Sequence, residues 1–427
     1  MTINRNHIPE FKTIDHIDIL TPERIILDNG IETYILKSQI EDIVKLDLIF
    51  NAGSYYQPKK LVARFANEML LEGTKKISSR TIAEKLDYYG AFLYPSPTLD
   101  FATISLLSLN KYLDQTINMM FDIVANANYP SGQFDTFVNN KRQNYLVQME
   151  KGNFVARREF GTQLFGKHPY GQTDVIEDYD AITRDDLLLF HKQYYHSQNC
   201  KIILTGNVSE KTIQLLNQTI GSKSWASGVK ASTLSKTNVF ENPISQKIID
   251  NSKAKQSSIR LGKITINKNH PDFLKLKVVN TILGGFFESR LMKTIREEKG
   301  YTYGISSILV PLKEVCYFVI LSEVNSEKTK QAVDDILTEV KKLRTTEVKS
   351  EELDLVKNYM LGYLLRSFDG IFKTALNFRE LIDLNIDFQY YDRMIETIKN
   401  INSKDIIDIA NKYLHEQSLI KTIVGKY

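Results

Sequence analysis

The chain contains 427 residues, of which 42% are hydrophobic and 25% are charged, and its 55 basic and 51 acidic side chains leave a formal net charge of +4. This is the composition of a folded globular protein, and so small a basic surplus gives no reason to expect a nucleic acid as a partner. No apolar run approaches the roughly 18 residues that a membrane-spanning helix needs, so no membrane association is expected.

The chain begins with MTINRNHIPEFK, which lacks a basic start followed by an apolar core, so no secretory signal is predicted. Cys200 and Cys316 lie far apart without metal-ligand spacing, and we expect both to be core residues rather than a disulfide or a redox pair. These features predict a cytoplasmic protein. A protein whose leader has been removed would show the same pattern and would be periplasmic.

The first strong strand signal is followed closely by a helix signal. The stretch DIVKLDLIFNAGS, residues 42–54, alternates so that Val44, Leu46 and Leu48 share one face of a strand. After it comes RFANEMLLEGT, residues 64–74, which has the pattern of an amphipathic helix that stops at its glycine.

Later segments continue this mixture of strands and helices. FATISLLSL (101–109) and YFVILSEV (317–324) have strand-like patterns, whereas 113–127 and 329–343 place apolar residues at helical spacing. The apolar residues of these two helices are Ile117, Met120, Phe121 and Val124 in the first and Val333, Ile336, Leu337 and Val340 in the second. Because strands and helices do not alternate strictly, we predict an α+β fold with largely antiparallel sheets.

The chain also repeats itself once. Two separated windows match at one constant offset, which pairs Ser131 with Ser350, Asp135 with Asp354, Asp186 with Asp405, Tyr194 with Tyr413 and Gly206 with Gly425. One offset kept across two windows predicts a tandem duplication of a unit of about 210 residues. We predict an N-terminal half at 1–221, a polar linker at 222–245 and a C-terminal half at 246–427.

Three stretches carry a resemblance to a known family. They are FNAGSYYQPKKLVARFANEMLLEGT (50–74), HPYG (168–171) and GGFFESRLMKTIREEKGYTYGISS (284–307). Together they resemble the peptidase M16 family, the pitrilysin- and insulinase-like zinc peptidases with an inverted HxxEH motif. The resemblance implies two homologous halves, each a largely antiparallel sheet packed with helices, that enclose a chamber in a fold similar to that of M16/LuxS-type metalloenzymes.

The metal chemistry implied by this resemblance is missing from its expected positions. Zn²⁺ would need two histidines four residues apart, with a glutamate between them to polarise the bound water. The histidine positions fall on Arg64 and Glu68, and the glutamate position falls on Asn67. Arg64 repels a cation, and Asn67 cannot take a proton from water at neutral pH. We therefore predict that this chain binds no metal or other cofactor and that Arg64 and Glu68 form an i,i+4 ion pair.

No other histidines compensate for this loss. The third ligand is expected around 142–148, where no Glu, Asp or His occurs, and Glu150 lies just beyond that segment. None of the seven histidines lies between His16 and His168. His191 and His196 are five residues apart, so on a helix they point about 140° away from each other.

The second half contains the residues that the resemblance identifies as functional. Family members without the metal motif can pair with a metal-bearing subunit, and they then supply an arginine and a tyrosine to the active site. In IREEKGYTY, residues 295–303, the matching residues are Arg296 and Tyr303, and Tyr301 competes for the tyrosine role. A purely structural role remains open, with Arg296 paired to a nearby acid and Tyr303 packed in the sheet.

The resemblance therefore implies a catalytically incomplete zinc peptidase homologue. The expected partner is an HxxEH-containing subunit that holds the Zn²⁺ in a heterodimer, and the expected substrate is a peptide. The alternative is a non-enzymatic scaffold or peptide-binding subunit of a larger complex. A homodimer that mimics the heterodimer also remains open.

Overall fold

The computed structural model describes residue 14 and residues 17–225, 245–251 and 253–427. The first half contains the strands β1 (Glu23–Ile26), β2 (Glu32–Lys37), β3 (Ile43–Phe50), β4 (Phe92–Pro97), β5 (Ala102–Leu109) and β6 (Cys200–Gly206). Its helices are α1 (Val62–Glu68), α2 (Ser79–Tyr89), α3 (Leu113–Ala125), α4 (Ser131–Met149), α5 (Gly152–Phe165), α6 (Ile176–Ala181), α7 (Arg184–Tyr194) and α8 (Glu210–Leu216).

The second half contains β7 (Gln246–Asp250), β8 (Gln256–Thr265), β9 (Thr302–Pro311), β10 (Cys316–Asn325) and β11 (Ile420–Gly425). Its helices are α9 (Phe273–Asn280), α10 (Thr329–Thr345), α11 (Ser350–Ser367), α12 (Ile371–Asp383), α13 (Tyr390–Asn400) and α14 (Ser403–Tyr413). Two π-helical segments, Thr281–Gly285 and Met292–Glu298, lie between α9 and β9. No helix in the described part of the chain is long and apolar enough to cross a membrane.

The two sheets share one strand order. The first is ordered β1-β2-β6-β3-β5-β4 and the second β7-β11-β8-β10-β9, so they coincide once β1 is set aside. Among the described strands each sheet has a single parallel pair, which is β2 with β6 in the first sheet and β7 with β11 in the second. The prediction of an α+β fold with two largely antiparallel sheets is confirmed. The shared order agrees with the internal repeat, although the duplication itself remains an inference from the sequence.

Local sequence explains several of these elements. Val44, Leu46 and Leu48 of β3 are fully buried, as their alternation predicts, and both cysteines are buried and free. Two equivalent helices begin with the same device. Thr183 caps α7 and Asn402 caps α14. In each case the aspartate three residues later accepts a hydrogen bond from the backbone N–H of the capping residue, which completes a capping box.

The halves exchange a helix with each other. Helix α5 of the first half packs on β8 and β11 of the second sheet, and α12 of the second half packs on β2 and β6 of the first sheet. Gly262 of β8 leaves no room for a side chain at this contact, because a Cβ there would lie 2.1 Å from the Phe318 carbonyl oxygen of β10 and 2.8 Å from Cζ of Phe160. Phe160 is 4% exposed and belongs to a core that also contains Val319 and Ile420. The two halves are therefore packed as one body.

A lysine at the turn between β9 and β10 also joins the halves. Lys313 Nζ donates to Asn51 Oδ1 at 2.7 Å and to the Tyr56 hydroxyl at 2.9 Å. Its backbone N–H donates to Asp100 Oδ2 at 3.0 Å, and the Tyr170 hydroxyl donates to the same carboxylate. Burial raises the pKa of Asp100, and the hydrogen bonds from Tyr170 and from the Lys313 backbone partly offset this rise.

Most of the predicted linker lies outside the described residues, since 226–244 are not described. Of the predicted segment, Trp225 is 8% exposed and packs edge-on against Phe50 of the first sheet. The linker bounds of 222–245 remain a prediction.

Candidate functional site

The helix that carries Arg64, Asn67 and Glu68 is more buried than its amphipathic pattern predicts. Helix α1 follows β3 through a 3-10 turn, and all its residues except Arg64 and Glu68 are buried. The chain continues as a 3-10 turn, Met69–Glu72, and stops at Gly73 as predicted. Gly73 has a φ of 134°, which favours glycine.

Arg64 and Glu68 do not pair with each other, so that prediction is wrong. Arg64 Nη2 donates to the Tyr179 hydroxyl at 3.1 Å and lies 3.7 Å from Asp174 Oδ2. Glu68 Oε2 lies 2.5 Å from Lys141 Nζ of α4. The tertiary fold brings closer partners to both side chains than their own helix offers, and an exposed i,i+4 pair is worth only about 0.3 kcal/mol.

Asn67 is a structural residue in this arrangement. It is fully buried, and its Nδ2 donates to the Thr103 carbonyl and to the Tyr195 hydroxyl, both at 3.2 Å. Its Oδ1 has no hydrogen-bond partner among the described residues. The amide of Asn67 therefore ties α1 to β5 and to the end of α7. Zinc-dependent hydrolysis would instead need a carboxylate that faces water at this position.

The segment expected to hold the third ligand is filled by aromatic and basic side chains. Tyr145 of α4 is 8% exposed and packs on Tyr179, with 5.2 Å between ring centroids. The Arg158 guanidinium lies 5.2 Å from the Tyr145 ring and 3.2 Å from Asp174. Arg142 lies 3.3 Å from Asp180. These contacts leave cations where metal ligands would be required.

A cleft of about 420 Å³ opens beside Arg64. Its charged lining consists of Lys60, Arg64, Arg157 and Asp174. Three cations against one carboxylate make this cleft unsuited to Zn²⁺ and suited to carbonyl or anionic groups. Throughout the described ranges, no cluster of three His, Cys, Asp or Glu side chains is placed to hold a metal. The residues at this position therefore do not fit the zinc ion that the resemblance implies.

Asp174, Tyr179 and Lys141 were not predicted from the sequence. Asp174 and Tyr179 lie far from Arg64 along the chain, and Lys141 lies far from Glu68, so no periodicity signals these contacts. The one available signal was position, because Asp174 follows the HPYG stretch by three residues.

The histidine pair 191 and 196 belongs to the protein interior. His191 stacks on Tyr195 at 4.9 Å, and its Nε2 lies 2.8 Å from the Val124 carbonyl. Burial lowers the pKa of His191 to about 4, so its ring is neutral at physiological pH. His196 contacts Gln198 instead. The two rings thus serve packing and do not converge on a common ligand.

In the second half, Arg296 and Tyr303 lie on adjacent elements. Arg296 belongs to the π-helical segment Met292–Glu298, which packs against β9, the edge strand that carries Tyr303. The Arg296 guanidinium lies 4.7 Å from the ring centroid of Phe287, itself 62% exposed, and 4.0 Å from Glu297. Tyr303 is 90% exposed.

The competitor Tyr301 has a different environment. It packs against the hydrophobic core of the second half, and its backbone bonds to Ile295 and Asn325. Tyr303 instead lines a shallow groove of about 510 Å³ together with Met292, Gly304 and Glu323. An exposed phenol beside a groove is better placed to meet another molecule, which favours Tyr303 over Tyr301.

Comparison with known proteins gives matches along most of the chain. Residues 33–170 match the family model described as Insulinase (Peptidase family M16), and residues 181–360 match Peptidase M16 inactive domain. An uncharacterised zinc protease, YmxG, of Bacillus subtilis is 23% identical over 94% of this chain and 98% of its own length. The non-peptidase homologue YmxG of Helicobacter pylori is 22% identical over 89% of this chain and 88% of its own length.

Among solved structures, a peptidase M16 inactive domain from Pseudomonas fluorescens has the same fold. Its TM-score is 0.86 at 22% identity, and the match covers 96% of this chain and 99% of that chain. At this level of identity the likeness establishes the fold alone.

Proposed function

The chain belongs to the peptidase M16 family, and on that premise we propose that it is the metal-free subunit of a heterodimeric zinc peptidase that degrades peptides. The partner is a family member that carries HxxEH and holds the Zn²⁺. This chain closes the substrate chamber and contributes Arg296 and Tyr303 to it. The protein is then inactive alone and active in the pair.

The exposure of Tyr303 is the observation that carries this proposal. An aromatic side chain of a sheet usually packs against a neighbour, whereas 90% of Tyr303 faces solvent on an edge strand. Arg296 is likewise free of a close acid in the described part of the chain, since its ion pair with Glu297 spans 4.0 Å. Both side chains are thereby available to a partner or a substrate.

The chemistry of these groups suits peptide hydrolysis at a neighbouring metal site. A guanidinium binds a substrate carbonyl or carboxylate with a fork of N–H donors. A phenol donates a hydrogen bond to the oxyanion that forms when water attacks a peptide carbonyl. The partner's metal supplies the activated water, and this chain orients the substrate and stabilises developing negative charge.

The first half supports the same division of labour. Arg64 contacts Asp174 and Tyr179, and Glu68 pairs with Lys141, so the two positions expected to hold histidines are occupied by side chains that already have partners. This half retains the packing of the family and leaves the metal to the partner.

Co-expression with an HxxEH-bearing relative from the same source tests the proposal. We expect a 1:1 complex that contains zinc and cleaves a fluorogenic peptide, whereas this chain alone shows neither property. Arg296→Ala and Tyr303→Phe should lower the activity of the complex without preventing its assembly. Arg80→Ala serves as a matched control, since Arg80 makes an exposed ion pair with Glu84. Unchanged activity in both site variants within an assembled pair would refute the proposed roles.

A non-enzymatic scaffold or peptide-binding subunit is the second candidate. The similarity to a protein named a non-peptidase homologue favours it. Purification of the tagged chain from its source distinguishes the candidates, because a scaffold would copurify with a complex that shows no zinc-dependent peptidase activity. A homodimer would appear in the same experiment as a particle of twice the mass of this chain that contains no second polypeptide.

A further inference from the structure

The second half has a cleft at the place that corresponds to α1 in the first half. Leu46 of β3 pairs with Leu204, and Ile259 of β8 pairs with Ile423, which is the counterpart of Leu204 in the internal repeat. Leu46 of β3 therefore corresponds to Ile259 of β8. Continued along the chain without a gap, this register places Lys277 at the position of Arg64 and Asn280 at the position of Asn67.

This cleft is smaller than the one beside Arg64 and is lined by more apolar side chains. Its volume is about 350 Å³, within the range of small-molecule sites. The apolar lining includes Phe273, Tyr359, Met360, Tyr363 and Met394. Tyr363 is 55% exposed, so the cleft opens to solvent on that side.

The charges inside the cleft do not balance. Lys268 Nζ lies 2.7 Å from Glu380 Oε2 and 4.7 Å from the ring centroid of Tyr390. Lys277 Nζ has Met394 Sδ at 3.9 Å as its hydrogen-bond partner, and no carboxylate lies within ion-pair distance of it in the described ranges. One positive charge therefore lacks a counter-charge, which an anionic ligand would provide.

Two residues that line the same cleft as Lys277 each have a buried polar atom without a partner among the described residues. Tyr390 is 2% exposed and its hydroxyl makes no hydrogen bond. Asn280 is 8% exposed; its Nδ2 donates to the Ser307 carbonyl at 3.1 Å, while its Oδ1 accepts nothing. Unpartnered buried polar atoms cost free energy, so each of them favours a ligand that satisfies it.

We propose that this cleft binds an acylated amino-acid end, meaning a terminal carboxylate with an adjacent amide N–H and an apolar side chain. The ammonium of Lys277 pairs with the carboxylate, and the Tyr390 hydroxyl donates to it. The Asn280 Oδ1 accepts the amide N–H, and the aromatic and methionine side chains surround the apolar group. This site requires neither zinc nor a partner subunit, so it stands apart from the function proposed above.

Calorimetric titration of the purified full chain tests the site. The probe is N-acetyl-L-phenylalanine at pH 7, and its C-terminal amide is the neutral match. We expect saturable 1:1 binding of the acid and at least tenfold weaker binding of the amide. Lys277→Met should weaken binding of the acid at least tenfold. Lys275 lies on the same helix as Lys277 but is paired with Asp405, so Lys275→Met is the control and should leave binding unchanged.

Two further measurements test which molecule supplies the ligand and whether a loss of binding could come from misfolding. A hexapeptide of five alanines ending in phenylalanine tests whether the end of a peptide enters the cleft as well as a free acylated amino acid. Tyr390→Phe removes a single hydroxyl. It should weaken binding of the acid severalfold without lowering the melting temperature of the protein. Failure of both acid and hexapeptide to bind, equal binding of acid and amide, or full binding by Lys277→Met would each overturn the proposal.

Discussion

In the first half, Arg64 is held by Tyr179 and Asp174, whereas Lys277, at the corresponding place in the second half, has only a methionine sulfur as a hydrogen-bond partner in the described chain. The strand orders around the two positions are the same. The difference arises from the residues that face each cation, because Asp174 and Tyr179 lie beside Arg64, whereas no carboxylate lies within ion-pair distance of Lys277 in the described ranges. A shared framework thus leaves one cation satisfied and the other available.

The largest expected effect is on the free energy of unfolding, and it tests whether the two halves fold as separate units. Phe160→Ala removes a ring of α5 that is buried on the second sheet, and we expect a loss of about 3–5 kcal/mol in the free energy of unfolding. Because α5 belongs to the first half by sequence, both halves should unfold together in denaturant titrations. Phe92→Ala, at a 52% exposed ring, is the control and should cost under about 1 kcal/mol. Separate transitions for the halves would contradict the shared packing.

The next effect concerns the two arginines. In the reconstituted pair, Arg296→Ala should lower kcat/KM about 100-fold, equal to about 2.7 kcal/mol of transition-state stabilisation. Arg64→Ala should change it by less than about twofold, because Arg64 is engaged by Asp174 and Tyr179. Steady-state hydrolysis of a fluorogenic peptide measures both. Equal losses for the two variants would erase the distinction between the halves.

A smaller effect is expected from the pH dependence of stability. Burial, and to a lesser degree the charge of Lys268, lowers the pKa of Lys277 to about 8 from its ordinary 10.5. Between these values the unfolded chain binds more protons than the folded one, so this group makes stability rise with pH across that window. Lys277→Met removes the titrating group and should stabilise the protein at pH 7 by about 1 kcal/mol. Urea titrations at pH 7 and pH 10 measure this, and a variant less stable than the parent at pH 7 would contradict the burial of an unpaired charge.

The smallest effect separates the pairing seen in the fold from the pairing expected along the helix. A double-mutant cycle of Glu68→Gln with Lys141→Met should give a coupling energy of about 0.5 kcal/mol, because the pair is partly exposed. The cycle of Glu68→Gln with Arg64→Met should give a value near zero. The reverse result would restore the i,i+4 pair that the sequence predicts.

Patterns with a short repeat were predictable from the sequence. The alternation of β3, the helical spacing of α3 and α10 and the stop at Gly73 depend on neighbours within a few residues, and the structure confirms them. The loss of the metal motif was equally visible, because it depends on which residues occupy three positions of one helix. The linker bounds and the roles of Arg296 and Tyr303 remain predictions.

The sequence by itself therefore determined the fold class, the family resemblance and the absence of histidines at 64 and 68, since all of these depend on residue identity and short spacing. Only the tertiary structure decided which partners Arg64 and Glu68 take, that α5 packs on the opposite sheet, and that Lys277 lies in a cleft beside unpartnered polar atoms. These features depend on contacts between residues that are distant along the chain, such as the hydrogen bond from Arg379 of α12 to Thr103 of β5. The pairing at such distances is set by how the two sheets and their exchanged helices pack, and no local periodicity encodes it.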